Sequence, residues 1–153
     1  MAYDDAVRRI VAAWKERALR RLAPWAAAVV DEVVSRPAAV CVAFVPADRA
    51  RLLERGHHAA EALARELAGR WSLEMRPLLR RTRTAPRQRG LSRRDRRRNV
   101  SDAFSAASAP GRVILVDDVY TTGATVNAAA SALRRAGARR VEVVTFARAI
   151  RVR

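Results

Sequence analysis

The strongest constraint on the fold is a short apolar run that leads directly into a polar turn and then into a helix. Residues Val113 to Val116 are all apolar, which is the pattern of a strand buried on both faces in a parallel sheet. The polar stretch Asp117 to Thr125 follows, and an Ala- and Leu-rich helix is predicted to end near Gly137. Because open α/β sheets bind ligands at the carboxyl ends of their strands, this segment predicts the fold class and the place of a site together.

Strand and helix patterns alternate along the rest of the chain. Apolar residues at steps of three and four predict a helix that begins near Asp4 or Asp5, and Pro24 predicts the start of a second helix that ends near Val34. Four further elements are predicted: a strand at 38–46, a helix at 58–67 capped by Gly69, a weaker strand at 100–106 and a last strand at 141–147. The predicted fold is therefore α/β, a mostly parallel twisted sheet flanked by helices, with two N-terminal helices.

The length of 153 residues predicts a single domain over 1–153, whose first part, 1–35, is the helical segment. Half of the residues are apolar, which argues against a disordered chain. The single cysteine, Cys41, excludes a disulfide framework and a Cys-rich zinc site within this chain. With no signal-peptide pattern and no apolar run long enough to cross a membrane, we expect a cytoplasmic protein without a membrane span.

The net charge of +16 is concentrated in one segment. Residues 80–98 contain ten arginines and one aspartate, which gives this segment +9 (10 − 1) and leaves +7 (16 − 9) for the rest of the chain. Without apolar periodicity, the segment is predicted to be a flexible, solvated basic loop. The charge therefore indicates a local anion-binding element rather than a continuous basic face.

The polar turn has the residues that a monophosphate needs. Small residues, Gly123 and Ala124, let backbone N–H groups converge, and Thr121, Thr122 and Thr125 add hydroxyls at the start of a helix. The carboxylates of Asp117 and Asp118 can accept hydrogen bonds from vicinal hydroxyls or help to hold a hydrated Mg²⁺. Each piece alone is equally typical of an ordinary turn and helix cap, whereas the joined string indicates a ribose 5-phosphate site.

The string from Val113 to Thr125 resembles the phosphoribosyl pyrophosphate (PRPP) binding motif of type I phosphoribosyltransferases. More narrowly, the chain resembles the ComF family of phosphoribosyltransferase-like proteins over nearly its whole length. The loop residues that support this resemblance are Arg81 to Thr84, Gln88, Leu91, Arg96, Asn99, Val100, Ala103 and Phe104. The resemblance implies a type I phosphoribosyltransferase fold.

The resemblance also implies a reaction, the Mg²⁺-assisted displacement of pyrophosphate at ribose C1 by an acceptor that the sequence does not identify. Asp117, Asp118 and Arg49 are then the candidate catalytic residues, with the two aspartates holding Mg²⁺ indirectly and Arg49 facing the pyrophosphate. The PRPP-binding candidates are Asp117, Asp118, Thr121, Thr122, Gly123, Ala124 and Thr125. The candidates on the flexible loop are Arg81, Arg87 and Gln88.

Three departures from the family pattern stand beside this interpretation. The family's Cys-rich zinc-binding segment would precede Tyr3, and its Pro-x-Pro is replaced by Pro46-Ala47-Asp48. Its Arg-Gly-Phe-Asn-Gln is replaced by Arg55 to Ala59, which removes the Asn and Gln amide donors that could orient pyrophosphate or acceptor. His57 and His58 are candidate substitutes for these donors, and a histidine pair at a helix start is also typical of an ordinary cap.

A second hypothesis comes from the family's part in DNA uptake during natural transformation. The chain would then be a non-catalytic accessory protein that binds single-stranded DNA or DNA-uptake proteins. The basic segment supports this hypothesis only weakly, because no aromatic residue lies within 80–98 to stack on bases. The oligomeric state is left open by the sequence, a homo-oligomer included.

Overall fold

Four parallel strands form the main sheet of the computed structural model, which describes residues 9–10, 12–14, 22–48, 52–53, 58–82 and 103–148. The strands are β1 (Cys41–Phe44), β2 (Glu74–Met75), β5 (Arg112–Tyr120) and β6 (Arg140–Arg148), in the order β2-β1-β5-β6. A separate antiparallel ribbon is made of β3 (Arg80–Arg81) and β4 (Phe104–Ser105). The helices are α1 (Leu22–Val33), α2 (Ala59–Trp71) and α3 (Ala124–Arg135). The predicted fold class is confirmed.

Helices cover both faces of β5, which explains its continuous apolar run. Ile114 and Val116 lie in a core cluster with α1 and α2, whereas Val113 and Leu115 lie in a second cluster with α3. Successive side chains of a strand point to opposite faces, so a strand covered on both sides needs an apolar residue at every position. Cys41 on the neighbouring β1 is buried in the same way, and burial raises the pKa of its thiol.

The structure extends β5 beyond its predicted end at Val116. Pairing with β1 stops at Phe44, opposite Val116, but pairing with β6 continues to Arg148, opposite Tyr120. Asp117 to Tyr120 therefore form a strand segment that projects beyond β1, rather than the start of a turn. Sequence periodicity missed this because the residues change from apolar to polar while the backbone pairing continues.

The prediction that Gly69 caps the helix at 58–67 is wrong. Helix α2 continues through Gly69 to Trp71, and Ser72 in the left-handed conformation (φ 51°) caps it. The extra turn buries Trp71, which is 1% exposed, and lets its indole N–H donate a 2.7 Å hydrogen bond to Asp31 of α1. That long-range contact outweighs the local preference of glycine for a helix end.

The basic segment predicted as a loop at 80–98 begins with ordered backbone. Arg80 and Arg81 pair with Ser105 and Phe104, and the N–H of Thr82 donates to Ala103 at 3.0 Å. The loop prediction is thus wrong for its first two residues, because buried Phe104 anchors the ribbon, while 83–98 lie outside the described residues.

The predicted strand at 100–106 is found at Phe104–Ser105, and the strand predicted at 38–46 is shorter, Cys41–Phe44. Strand β2 was not predicted, since two residues carry no periodic signal. Of the first predicted helix, residues 9–10 and 12–14 are helical, and its start near Asp4 lies outside the described residues. No helix within the described residues is long and apolar enough to cross a membrane.

His58 joins the start of α2 to the end of β1. It is the N-cap residue of α2, its ring lies 5.3 Å from the ring of Phe44, and its Nδ1 lies 3.5 Å from Oε2 of Glu61. Burial lowers the pKa of His58, and the hydrogen bond to Glu61 opposes this effect without overcoming it. Protonating the imidazole is therefore harder in the folded chain than in the unfolded chain.

Stability is expected to fall on acidification because of His58. A lowered pKa in the folded state means that its contribution is present above the unfolded pKa, near 6.5, and is lost as the pH falls below it. Urea unfolding at pH 7.5 and 5.5 should show a loss of unfolding free energy in the natural chain and a smaller loss in His58→Gln. His57→Gln is the control and should lose as much unfolding free energy between pH 7.5 and 5.5 as the natural chain, because His58 is still present. An equal loss in His58→Gln and in the natural chain would show that His58 does not cause the pH dependence.

Candidate active site at the carboxyl edge of the sheet

The projecting end of β5 carries the two predicted carboxylates. Asp117 and Asp118 are both half-buried. The N–H of Asp118 donates to Oδ1 of Asp117 at 2.9 Å, and the N–H of Val119 donates to Oδ1 of Asp118 at 2.8 Å. Because each carboxylate accepts a hydrogen bond from the next backbone amide, its orientation is fixed by the strand that carries it.

The N-cap residue of the helix that follows β5 is a glycine rather than a threonine. Gly123 is the N-cap of α3, with φ 75° and no side-chain capping hydrogen bond. Thr121 and Thr122 are exposed, and the hydroxyl of Thr122 is only a long 3.4 Å from the N–H of Ala124. The first turn of α3 contains no acidic residue. The positive end of the helix dipole and its N–H groups are therefore available to an anion.

One open cleft joins the acidic strand end to this turn. It contains about 170 Å³ of empty space, part of it open solvent. Its lining residues are Asp117, Val119, Tyr120, Thr121, Gly123, Thr125 and Val126. The structure thus brings together most of the residues that the sequence predicted for ribose and phosphate, while Asp118 lies beside Asp117 and Ala124 begins the helix.

Tyr120 fixes the shape of the turn. A Cβ placed on Gly123 would lie 2.2 Å from the hydroxyl of Tyr120, so the tyrosine ring packs directly against the glycine. The guanidinium of Arg148 lies 5.4 Å from the centroid of the same ring. Neither contact was predicted from the sequence, because the pairing of Tyr120 with Arg148 depends on the register of β5 and β6, which local residues do not specify.

Arg81 and His58 lie near the carboxyl end of β1, at the same edge of the sheet as the acids of β5. Nε of Arg81 donates to the carbonyl of Pro46 at 3.4 Å, and its guanidinium lies 4.8 Å from the ring of Phe104. The backbone of Val45 and the charge of Asp118 both act to raise the pKa of the His58 imidazole against the larger effect of its burial, so His58 lies near both. Arg81 and His58 are therefore held at the edge where β5 presents its acids.

Three predicted site residues, Arg49, Arg87 and Gln88, lie outside the described residues. Among the residues that the structure describes, no group of three or more His, Cys, Asp or Glu side chains could hold a metal ion. The carboxylates of Asp117 and Asp118 are oxygen donors of the type that Mg²⁺ prefers, and two of them suit a hydrated ion whose other ligands come from water or phosphate. The donor set fits indirect magnesium binding.

Comparison with known proteins places this geometry in a family. Residues 52–151 match the model of the phosphoribosyl transferase domain. Competence protein F of Haemophilus influenzae is 34% identical over 143 residues, covering 89% of this chain and 62% of that protein. DNA utilization protein YhgH of Escherichia coli O157:H7 is 37% identical over 112 residues, covering 69% of this chain and 48% of that protein. The chain thus spans less than two thirds of the length of either relative.

The fold has a solved counterpart in adenine phosphoribosyltransferase from Thermoanaerobacter pseudethanolicus, with a TM-score of 0.51 at 13% identity over 86% of this chain and 83% of that one. This likeness concerns the fold alone. The family match contains both the acidic strand end and the glycine turn, and the relatives are similar over most of the chain. The chain therefore belongs to the phosphoribosyl transferase domain family and is a ComF-like member of it.

Proposed function

We propose that the chain binds PRPP at the carboxyl edge of the main sheet and transfers its phosphoribosyl group to an acceptor. The observation that carries this proposal is that Asp117, Thr121 and Gly123 line the same cleft. The turn supplies backbone N–H groups and hydroxyls for the 5-phosphate. Asp117, at the acidic end of β5, lines the same cleft and can accept hydrogen bonds from the ribose hydroxyls.

In the proposed reaction, the bond between ribose C1 and the pyrophosphate oxygen breaks, and a bond from C1 to the acceptor forms. Asp117 and Asp118 accept hydrogen bonds from the ribose hydroxyls and hold Mg²⁺ through its water ligands. Magnesium, when bound, neutralises charge on the departing pyrophosphate. The protein's main task is to orient the sugar and stabilise the leaving group, since oriented charge and dipoles lower such barriers without a protein nucleophile.

The pyrophosphate is assigned to the β1 side of the edge. Arg81 lies there against Pro46, and its exposed guanidinium is held by Phe104. A cation held in this way needs little reorganisation to meet a developing anion. Arg49, Arg87 and Gln88 remain predicted contributors to the same group.

A second candidate function follows from the relatives, whose names concern competence and DNA utilization. In this candidate, the chain binds single-stranded DNA through the arginines of residues 80–98 and performs no transfer. The +9 charge of that segment is the feature that favours it.

Replacing both acids should separate PRPP binding from general charge effects. In calorimetric titration with PRPP and Mg²⁺, Asp117→Asn combined with Asp118→Asn should weaken binding by about tenfold or more, because it removes charge-assisted hydrogen bonds and the magnesium-holding charge. Glu32→Gln, at an exposed position on α1, is the control and should bind normally. The proposal fails if the natural chain does not bind PRPP, or if the double variant binds it equally well.

Gly123→Ala should damage the turn. The new Cβ would meet the hydroxyl of Tyr120 at 2.2 Å, and φ 75° costs an alanine about 1–2 kcal/mol. Urea unfolding should therefore show a loss of about that size, accompanied by weaker PRPP binding. Gly69→Ala is the matched control: nothing lies within 4 Å of its Cβ, and alanine in a helix should stabilise the chain by about 1 kcal/mol. Unchanged PRPP affinity in Gly123→Ala would contradict the assigned turn.

The second candidate is tested by the salt dependence of single-stranded DNA binding. If several arginines neutralise phosphates, the logarithm of the association constant should fall with the logarithm of salt concentration with a slope of about −0.7 per neutralised phosphate. The slope should be the same in the chain that carries both aspartate replacements, because those residues are not part of the basic segment. A shallow slope would exclude the second candidate.

A further inference from the structure

Arg148 is placed beside the cleft by the pairing of β5 and β6. It is the last residue of β6 and the register partner of Tyr120, the last residue of β5. Its guanidinium lies 5.4 Å from the centroid of the Tyr120 ring, within the range of a cation–π interaction. The arginine is exposed, and its guanidinium lies against this ring at the carboxyl edge of the sheet.

Tyr120 links Arg148 to the turn. One part of the tyrosine lines the cleft, and its hydroxyl end packs against Gly123, the N-cap of α3. Tyr120 thus contacts Arg148 at the end of β6 and Gly123 at the start of α3. These two contacts place the guanidinium at the same edge of the sheet as the N–H groups that begin the helix.

Arg148 forms no ion pair with a carboxylate within the described part of the chain. Some arginines there do pair with an acid, for example Arg76 with Glu74 and Arg140 with Glu142. The turn itself, 121–125, contains no cationic side chain, so a phosphate dianion bound there would meet only backbone N–H groups and hydroxyls. A guanidinium stacked on an aromatic ring through its face keeps its in-plane N–H donors available for such an anion.

We propose that Arg148 is a phosphate-binding residue of this site and that Tyr120 positions it. This inference rests on the proposed function and extends it: Arg148 donates to the 5-phosphate of the sugar ligand and makes the site selective for sugar 5-phosphates over the unphosphorylated sugar. The pyrophosphate, assigned to the β1 side of the edge, is bound independently of Arg148.

The test measures two ligands separately by calorimetry, ribose 5-phosphate and magnesium pyrophosphate. Arg148→Gln should weaken ribose 5-phosphate binding by about tenfold and leave magnesium pyrophosphate binding unchanged. Arg148→Lys should recover part of the affinity, because it keeps the charge but loses the planar fork. Tyr120→Leu should weaken ribose 5-phosphate binding as Arg148→Gln does. Arg112→Gln removes an exposed charge at the opposite, amino end of β5 and should bind both ligands normally.

The outcomes separate this inference from the proposal on which it rests. If the natural chain binds ribose 5-phosphate and Arg148→Gln binds it equally well, the inference is overturned and the PRPP proposal stands. If Arg148→Gln, shown by its thermal unfolding to be folded, loses both ligands equally, or if Arg112→Gln has the same effect, the arginine acts through overall charge and the inference is also overturned. If the natural chain binds neither PRPP nor ribose 5-phosphate, both fail.

Discussion

The pairing of β5 with β6 beyond the end of β1 is the constraint on which the site depends. Up to Val116, β5 is a buried core strand with a neighbour on each side. From Asp117 to Tyr120 it is supported by β6 alone, which continues to Arg148. This unequal length exposes the acids on the β1 side while their backbone stays ordered. A strand that ended with β1 would leave the same carboxylates on a loop.

The parallel order of the sheet brings the remaining elements to the same edge. In a parallel sheet, every strand-to-helix connection leaves from the carboxyl side, so the starts of α2 and α3 both lie there. His58, the N-cap of α2, contacts Phe44 and is affected by Asp118, while Gly123, the N-cap of α3, contacts Tyr120. Two helix starts with no side-chain cap therefore flank one acidic strand end.

Local sequence predicted the elements well where burial and periodicity agree. The last helix ends at Arg135, close to the predicted end near Gly137, and the last strand contains the predicted 141–147. The errors occurred where a distant contact decided the outcome. Trp71 extends α2 past Gly69 to reach Asp31, and Phe104 draws Arg80 and Arg81 into a ribbon. Neither partner is near in sequence, so no window of local residues contains the information.

The sequence by itself determined the α/β class, through alternating strand and helix patterns, and the family resemblance along most of the chain. It also determined the identity of the acids, threonines and glycine of the candidate site, because these lie in one contiguous string, 113–125. Only the tertiary structure decided that the acids lie on a projecting strand, that Tyr120 packs on Gly123 and that Arg148 stacks on Tyr120. The physical reason is that strand register is a non-local property. It is set by backbone hydrogen bonds and by the burial of both sheet faces, and the arginine and tyrosine that it brings together are separated by a whole helix.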